Sequence, residues 1–252
     1  MIKAAEKASK SAIRDFGEVE KLQVSKKGPR DFDTKTDKRV ENIIIEELGK
    51  TKKNYSFLSE EIGKIKNKDE ENIWIIDPID GTRSFIAGKN DFGTLIGLVK
   101  NDEIIGGVID CPALKERWVS FEKNVTMVNG NIIQCRKIDK LENSVMATTS
   151  SHQFGMKKWR AYQSLEESVK VTTTGSDCYN YGLLASGYVD IVAEKLTAPH
   201  DYLPLIKIVE GSGGVMTDWD GNRLPFDDKD VYVLASASKE LHELALEKLK
   251  NK

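Results

Sequence analysis

Trp74-Ile75-Ile76 reads as a buried strand that stops at Asp77-Pro78, and it runs into Asp77-Pro78-Ile79-Asp80-Gly81-Thr82. A core strand ending this way delivers two acids where the chain leaves its packed layer. Pro78 fixes the backbone angle between them. Side chains three apart, Asp77 and Asp80, converge on one ion if the intervening turn is tight. Gly81-Thr82 then opens a short helix, whose first backbone N–H groups lack partners in the helix and suit an anion. Hard divalent cations such as Mg²⁺ take oxygen ligands, retain several waters and are commonly completed by substrate phosphate. The stretch therefore points to a metal-plus-phosphate site, although the same residues also make an ordinary turn.

The rest of the chain fits an alternating α/β pattern. Ala4 to Ile13 has helical spacing, Phe16 through Val24 reads as a turn and a short extended piece, and Gly28-Pro29 breaks the chain. Thr36-Asp37 is placed to cap a helix carrying Val40, Ile43, Ile44 and Leu48 and ending at Gly49. Ser56 to Leu58 is a short strand leading to Glu60-Glu61, and KIKNKDEEN (64–72) reads as a solvated turn. Strands follow over Thr94–Val99, Ile104–Ile109 and Arg117–Phe121, and Val125 to Ile133 reads as a hairpin through Asn129-Gly130. Beyond Lys140 the predicted strands are Val145–Thr149, Val169–Thr173, Val189–Glu194, Gly214–Asp218 and Val231–Ala235. The predicted helices there are Trp159–Leu165, Tyr179–Ser186, Leu203–Glu210 and Lys239–Leu249. A chain of 252 residues has room for two lobes, here 1–140 (an α+β lobe holding the metal-binding loop) and 141–252 (α/β).

Composition removes several function classes. Lys and Arg total 38 against 40 Asp and Glu, a net charge of −2, so there is no overall electrostatic case for nucleic acid. No apolar run approaches the roughly 18 residues of a membrane span, and the first twenty residues form a charged helical pattern rather than a signal peptide. The 3 cysteines (Cys111, Cys135, Cys178) have no CxxC spacing, which argues against a disulfide framework or thiolate zinc and suits a reducing, cytoplasmic setting. His200 reads as a surface-loop histidine, and with only His152 and His242 elsewhere no zinc set emerges. Two further acids stand at element ends: Glu60-Glu61 after a strand, costly as neighbours unless solvated or cation-bound, and Asp201 ahead of a helix, where an N-cap is the common role.

Together, DFDTKTD (31–37), SEE (59–61), WIIDPIDGT (74–82), GSDCYNYGLLASGYVDIVAE (175–194) and PHDYLPLIKIVEGSGGVMTDWDG (199–221) resemble the inositol monophosphatase superfamily of metal-dependent, lithium-sensitive phosphatases. The resemblance implies an alternating α-β-α-β-α layered sandwich, a homodimer, a site between the lobes, and two or three Mg²⁺ per site. By position, Glu60, Asp77 and the carbonyl of Ile79 resemble the ligands of a first Mg²⁺. Asp77, Asp80 and Asp201 resemble those of a second, with Asp77 bridging. Thr82 matches a threonine that orients the attacking water, Asp37 the acid that orients that threonine, and the Gly81 and Thr82 amides would hold phosphate oxygens. The chemistry implied is hydrolysis of a small phosphate ester, with cations acidifying a water and clamping attacking and leaving oxygens.

Substrate contacts are expected from Arg83, Ser176, Asp177 and Glu194 as well as from Gly81 and Thr82. Glu194 matches an acid that touches a substrate hydroxyl and does not discriminate between branches. Asp177 stands where inositol phosphatases carry a small residue. An unpaired carboxylate there would favour an ammonium-bearing substrate, with a cap on the helix Tyr179–Ser186 as the alternative. Arg83, GTLI (93–96), GVIDCPALKERW (107–118) and ATTS (147–150) resemble the histidinol-phosphatase branch, so histidinol phosphate is the expected substrate. A surface or dimer contact is the alternative for Arg83. RDFGEVEKLQVSKKGPRDF (14–32) looks more like bacterial inositol monophosphatases, which keeps inositol monophosphate as the second reading, and Asp33 departs from the usual Val. A regulatory binding protein retaining the fold is the reading from a different class.

Overall fold

The computed structural model describes residues 1–16, 24–28, 31–121, 125–227 and 229–250. The turn expected over 17–23 and the breaker at Pro29 lie outside these residues, and the side chain of Asp33 is likewise outside them. Five layers alternate. On the outside, α1 (Ile2–Phe16) and α2 (Lys35–Gly49) pack on each other and against an eight-stranded sheet. That sheet has the order β10-β9-β8-β7-β6-β5-β3-β4. Its strands are β3 (Tyr55–Ser59), β4 (Gly63–Ile65), β5 (Asp69–Asp80), β6 (Gly93–Lys100), β7 (Glu103–Cys111), β8 (Glu116–Phe121), β9 (Val125–Val128) and β10 (Asn131–Ile133). The hairpin β1 (Val24–Gly28) and β2 (Asp31–Thr34) pairs separately, and the short α3 (Thr82–Ile86) follows β5.

The middle layer is α5 (Tyr179–Ala185) and α6 (Pro199–Gly211), and beneath it lies a five-stranded sheet of order β12-β11-β13-β15-β14. These strands are β11 (Val145–Thr148), β12 (Val171–Thr174), β13 (Ile191–Leu196), β14 (Val215–Asp218) and β15 (Val231–Ser236). The last layer is α4 (Met156–Glu166) with α7 (Lys239–Lys250).

Strand periodicity explains the layering. Along β5, Trp74 and Ile76 face the α1–α2 side while Ile75 faces α5 and α6. In the second sheet Ile191 and Ala193 join the α4–α7 core, and Val192 joins the middle one. Each strand thus feeds two cores at period 2, which is why it reads as an unbroken apolar run.

Three expectations change. KIKNKDEEN is mostly strand, because Lys64 and Ile65 belong to β4 while Asp69 pairs with Tyr55 and Asn72 with Lys100 at the start of β5. Glu70 and Glu71 stand on exposed positions of that strand, and Asp69 accepts from Asn72. The α2 cap residue is Thr34 rather than Thr36, and Asp37 does take part: Thr34 Oγ1 accepts from Thr36 N at 3.1 Å, and Asp37 Oδ2 accepts from Thr34 N at 2.7 Å, a reciprocal capping box. Finally, β5 does not stop at Asp77-Pro78 but continues to Asp80 through a bulge.

Candidate active site

The bulge makes the site. Asp77 pairs with Leu95 and Asp80 with Gly93, so Pro78 and Ile79 together oppose the single residue Thr94. Thr94 Oγ1 closes the irregularity by donating to Pro78 O at 2.8 Å. In a regular strand, residues three apart face opposite sides; the extra residue brings Asp80 round to the side of Asp77. Proline is tolerated at such a point because no ladder bond needs its nitrogen.

Three other elements converge there. β3 runs parallel to β5, and Glu60 N donates to Ile76 O at 3.2 Å, which sets Glu60 beside Asp77. Asp201 lies in the first turn of α6, where its Oδ2 accepts from Thr197 N and Ala198 N, each at 3.1 Å, and His200 Nε2 is 3.3 Å from Oδ1. Asp201 therefore supports the helix start from within the first turn, while Ala198 holds the cap position itself. Gly81, at φ +81°, begins α3 in a left-handed conformation, and a Cβ there would come within 3.1 Å of Asp177 Oδ2. The carboxylate of Asp177 thus lies directly over the DPIDGT turn, delivered by a left-handed backbone at Ser176 (φ +81°) and Asp177 (φ +39°).

These groups line one cleft of about 620 Å³. Its walls hold Glu60, Asp77, Asp80, Asp177, Glu194 and Asp201, with Ile79, Gly81, Thr82 and Arg83 from the bulge and α3. So many acids in one place shift one another. Burial, then Glu60, Asp80 and Asp201, push the Asp77 carboxyl well above its ordinary range; burial and Asp177 do the same to Asp80. Asp177 is pushed up to about 6, chiefly by burial, with Arg83 pulling it back. Glu194, 1% exposed, is pushed up to about 7 by burial and held by Thr149 N at 2.7 Å, Thr149 Oγ1 at 2.6 Å and Tyr181 OH at 3.2 Å.

The donor set fits hard cations. Asp77 is 3% exposed, and its Oδ1 is buried with no partner among the described residues. Four carboxylates face one another there, and an ion between them would relieve the cost. Among the described residues no three such side chains already close into a cage.

Two expected residues stand apart. Ser176 is absent from the cleft lining and donates to Asp91 Oδ2 at 2.9 Å. Asp37 sits behind the site and does not meet Thr82. Its Oδ2 is engaged by Thr34, while Thr82 Oγ1 donates to Ile79 O at 3.0 Å. Asp37 Oδ1 is buried with no hydrogen-bond partner among the described residues, and burial raises the group to about 6. Asp177 does not cap α5, whose first residue receives no side-chain cap, and Asp177 is not unpaired either: Arg83 Nη2 is 3.7 Å from its Oδ1. Arg83 therefore belongs to the cleft mouth.

Sequence reasoning passed over Thr149 and Tyr181, which hold Glu194, and His152, Gln153 and Lys195, which line the cleft. Cys178 N donates to Asp80 Oδ2 at 2.6 Å, tying α5 to the bulge. Glu41 was also missed. It is fully buried on α2 and accepts from Glu61 N at 2.9 Å. Its one signal is its position between Val40 and Ile44 on the inward face of α2.

A model of the inositol monophosphatase family matches residues 1–252. The chain is 39% identical over 223 residues to the bifunctional phosphatase IMPL2, chloroplastic, of Arabidopsis thaliana, covering 86% of this chain and 64% of that protein, just under two thirds of its length. It is 32% identical to an inositol-1-monophosphatase of Mesorhizobium japonicum (92% of this chain, 88% of that one). It is 30% identical to a histidinol-phosphatase of Chlorobaculum parvum (91% and 88%). Among solved structures, the extragenic suppressor protein suhB of Bartonella henselae superposes with a TM-score of 0.93 at 30% identity, over 100% of this chain and 97% of that one.

Proposed function

Because the chain belongs to the inositol monophosphatase family of metal-dependent phosphatases, we propose that its substrate is a small phosphate monoester bearing an ammonium group, histidinol phosphate. The observation that carries this reading is the surplus of acid in the cleft. Glu60, Asp77, Asp80 and Asp201 suffice for the divalent ions, which family members take typically as Mg²⁺. Asp177 and Glu194 remain in the same cleft, each raised by burial and Glu194 further raised by Asp177. A substrate cation between them would offset that burial. The histidinol-phosphatase of Chlorobaculum parvum lends the reading support.

We assign two ions, one to Glu60, Asp77 and the Ile79 carbonyl, the other to Asp77, Asp80 and Asp201. Bound there, Mg²⁺ would neutralise the phosphate and make water a stronger nucleophile. The protein's own groups do the rest. Thr82 Oγ1 spends its proton on Ile79 O and so has lone pairs left to accept from the attacking water. The Gly81 and Thr82 amides orient phosphate oxygens. Arg83 supplies positive charge at the mouth.

One observation favours inositol monophosphate instead. Arg83 already approaches Asp177 and spends part of its charge, and the Mesorhizobium relative is an inositol-1-monophosphatase. Phosphate release from both esters, with Mg²⁺ and a chelator control, separates the readings. We expect kcat/KM at least tenfold higher for histidinol phosphate, and Asp177→Ala to remove the preference. A preference for inositol 1-phosphate unaffected by Asp177→Ala would overturn the proposal. Asp80→Asn tests the regulatory alternative, since a binding protein keeps its function when a metal carboxylate is lost.

A further inference from the structure

Glu41 is a charged residue with no place in the reaction, yet it is 0% exposed, on the inward face of α2. Burying a carboxylate is costly, so its surroundings should show what offsets the cost. They are the backbone and hydroxyl donors of one turn. Glu41 Oε1 accepts from Glu61 N at 2.9 Å, and the Ser59 hydroxyl and the Ile62 N–H of the same turn lie near enough to favour its charge. Ser59 ends β3, Gly63 starts β4, and between them lies the turn that carries Glu60. Its Oε2 is enclosed without a hydrogen-bond partner among the described residues.

The segment Glu41 holds is the one that presents Glu60 to the cleft. Glu60 itself is tied from the other side by its N–H to Ile76 O at 3.2 Å. With one anchor on β5 and another on α2, the turn has a single position. We propose that Glu41 is a positioning residue, which fixes the Glu60-Glu61-Ile62 turn so that the Glu60 carboxylate is set for the first divalent ion. The inference rests on the reading of Glu60 and Asp77 as ligands of that ion.

Groups that orient metal ligands from behind commonly change affinity by about 10–100-fold when removed. A Gln at this position keeps size and shape but loses the charge and turns one acceptor into a donor facing N–H groups. The experiment is a calorimetric Mg²⁺ titration of wild type, Glu41→Gln and Asp77→Asn, at a temperature where near-UV circular dichroism shows each to be folded. Wild type should bind, Asp77→Asn should lose binding, and Glu41→Gln should bind about tenfold more weakly. Its activity, measured alongside, should recover as Mg²⁺ is raised. A residue that merely supports the fold would lower the melting temperature and leave the Mg²⁺ dissociation constant alone, and a value within twofold of wild type overturns the proposal. Should Glu41→Gln fail to fold, Glu41→Asp carries the same test, since it keeps the charge but falls one methylene short of the turn. Failure of wild type to bind, or unchanged binding by Asp77→Asn, would instead remove the metal reading on which the inference stands.

Discussion

Glu194 has a titration that reaches beyond the cleft. Its pKa is about 7 in the folded chain against an ordinary 4.5, chiefly because burial disfavours the charge. Between those two values the folded protein holds a proton that the unfolded chain has released. Stability contributed by this group is thus greatest at the acid end and falls as pH rises from about 4.5 through about 7. Glu194→Gln removes the titration while keeping an acceptor for Thr149. Between pH 5 and 8, the melting temperature of metal-free wild type should fall more than that of Glu194→Gln, by about 3–6 °C. Parallel curves in scanning calorimetry would refute this. At this scale the sequence was readable where chemistry left a pattern: Asp77, Asp80 and Glu60 stand in short motifs at strand ends. Glu41, Thr149 and Tyr181 were not readable, because a helical glutamate, a strand-end threonine and a core tyrosine look ordinary until folding puts them against a functional group.

Elements hold these groups in place by close approach of backbones. Helix α6, which carries Asp201 in its first turn, crosses β7 so tightly that a Cβ on Gly107 would come 2.2 Å from Pro204 O. The obstacle is backbone and cannot rotate away. Gly107→Ala should therefore cost about 3 kcal/mol of stability. It should also reduce kcat/KM by about a hundredfold, because displacing α6 by even 1 Å moves Asp201. Gly49, at the end of α2 with nothing within 4 Å of its would-be Cβ, is the control, and Gly49→Ala should change stability by less than about 0.5 kcal/mol. Urea unfolding and steady-state kinetics check both. Equal behaviour of the two variants would mean the α6–β7 contact relaxes freely. Element type was legible wherever apolar periodicity was strong, as in β6 and α7. It failed at residues 69–72, because partners on β3 and β6 recruit a charged stretch whose own composition favours a turn. Nor did the sequence announce the bulge, since a bulge is defined by the register of the neighbouring strand.

Across the whole molecule, the carboxylates assigned to metal come from one sheet's strand ends (Glu60, Asp77, Asp80) and from the helix layer that separates it from the other sheet (Asp201), while Glu194 comes from that other sheet. The central core joins Ile75, Leu95 and Trp118 of the first sheet to Val192 and Ala235 of the second through Tyr202 and Leu205 of α6. Parts that share a core in this way should unfold together, so one thermal transition is expected. Metal then acts on that single transition. An ion that binds only the folded arrangement stabilises it by mass action, about 2.7 kcal/mol at a hundred times its dissociation constant, or about 5–10 °C for a chain of this size. The increment must depend on pH, because the ion competes with protons for carboxylates whose affinity for protons is raised by burial and by each other. Saturating Mg²⁺ should raise the melting temperature clearly at pH 8, much less at pH 5.5, and at neither pH in Asp77→Asn. Differential scanning fluorimetry at fixed ionic strength measures all three. A shift independent of pH, or one retained by Asp77→Asn, would place the stabilising ion elsewhere on the molecule and separate it from the cleft.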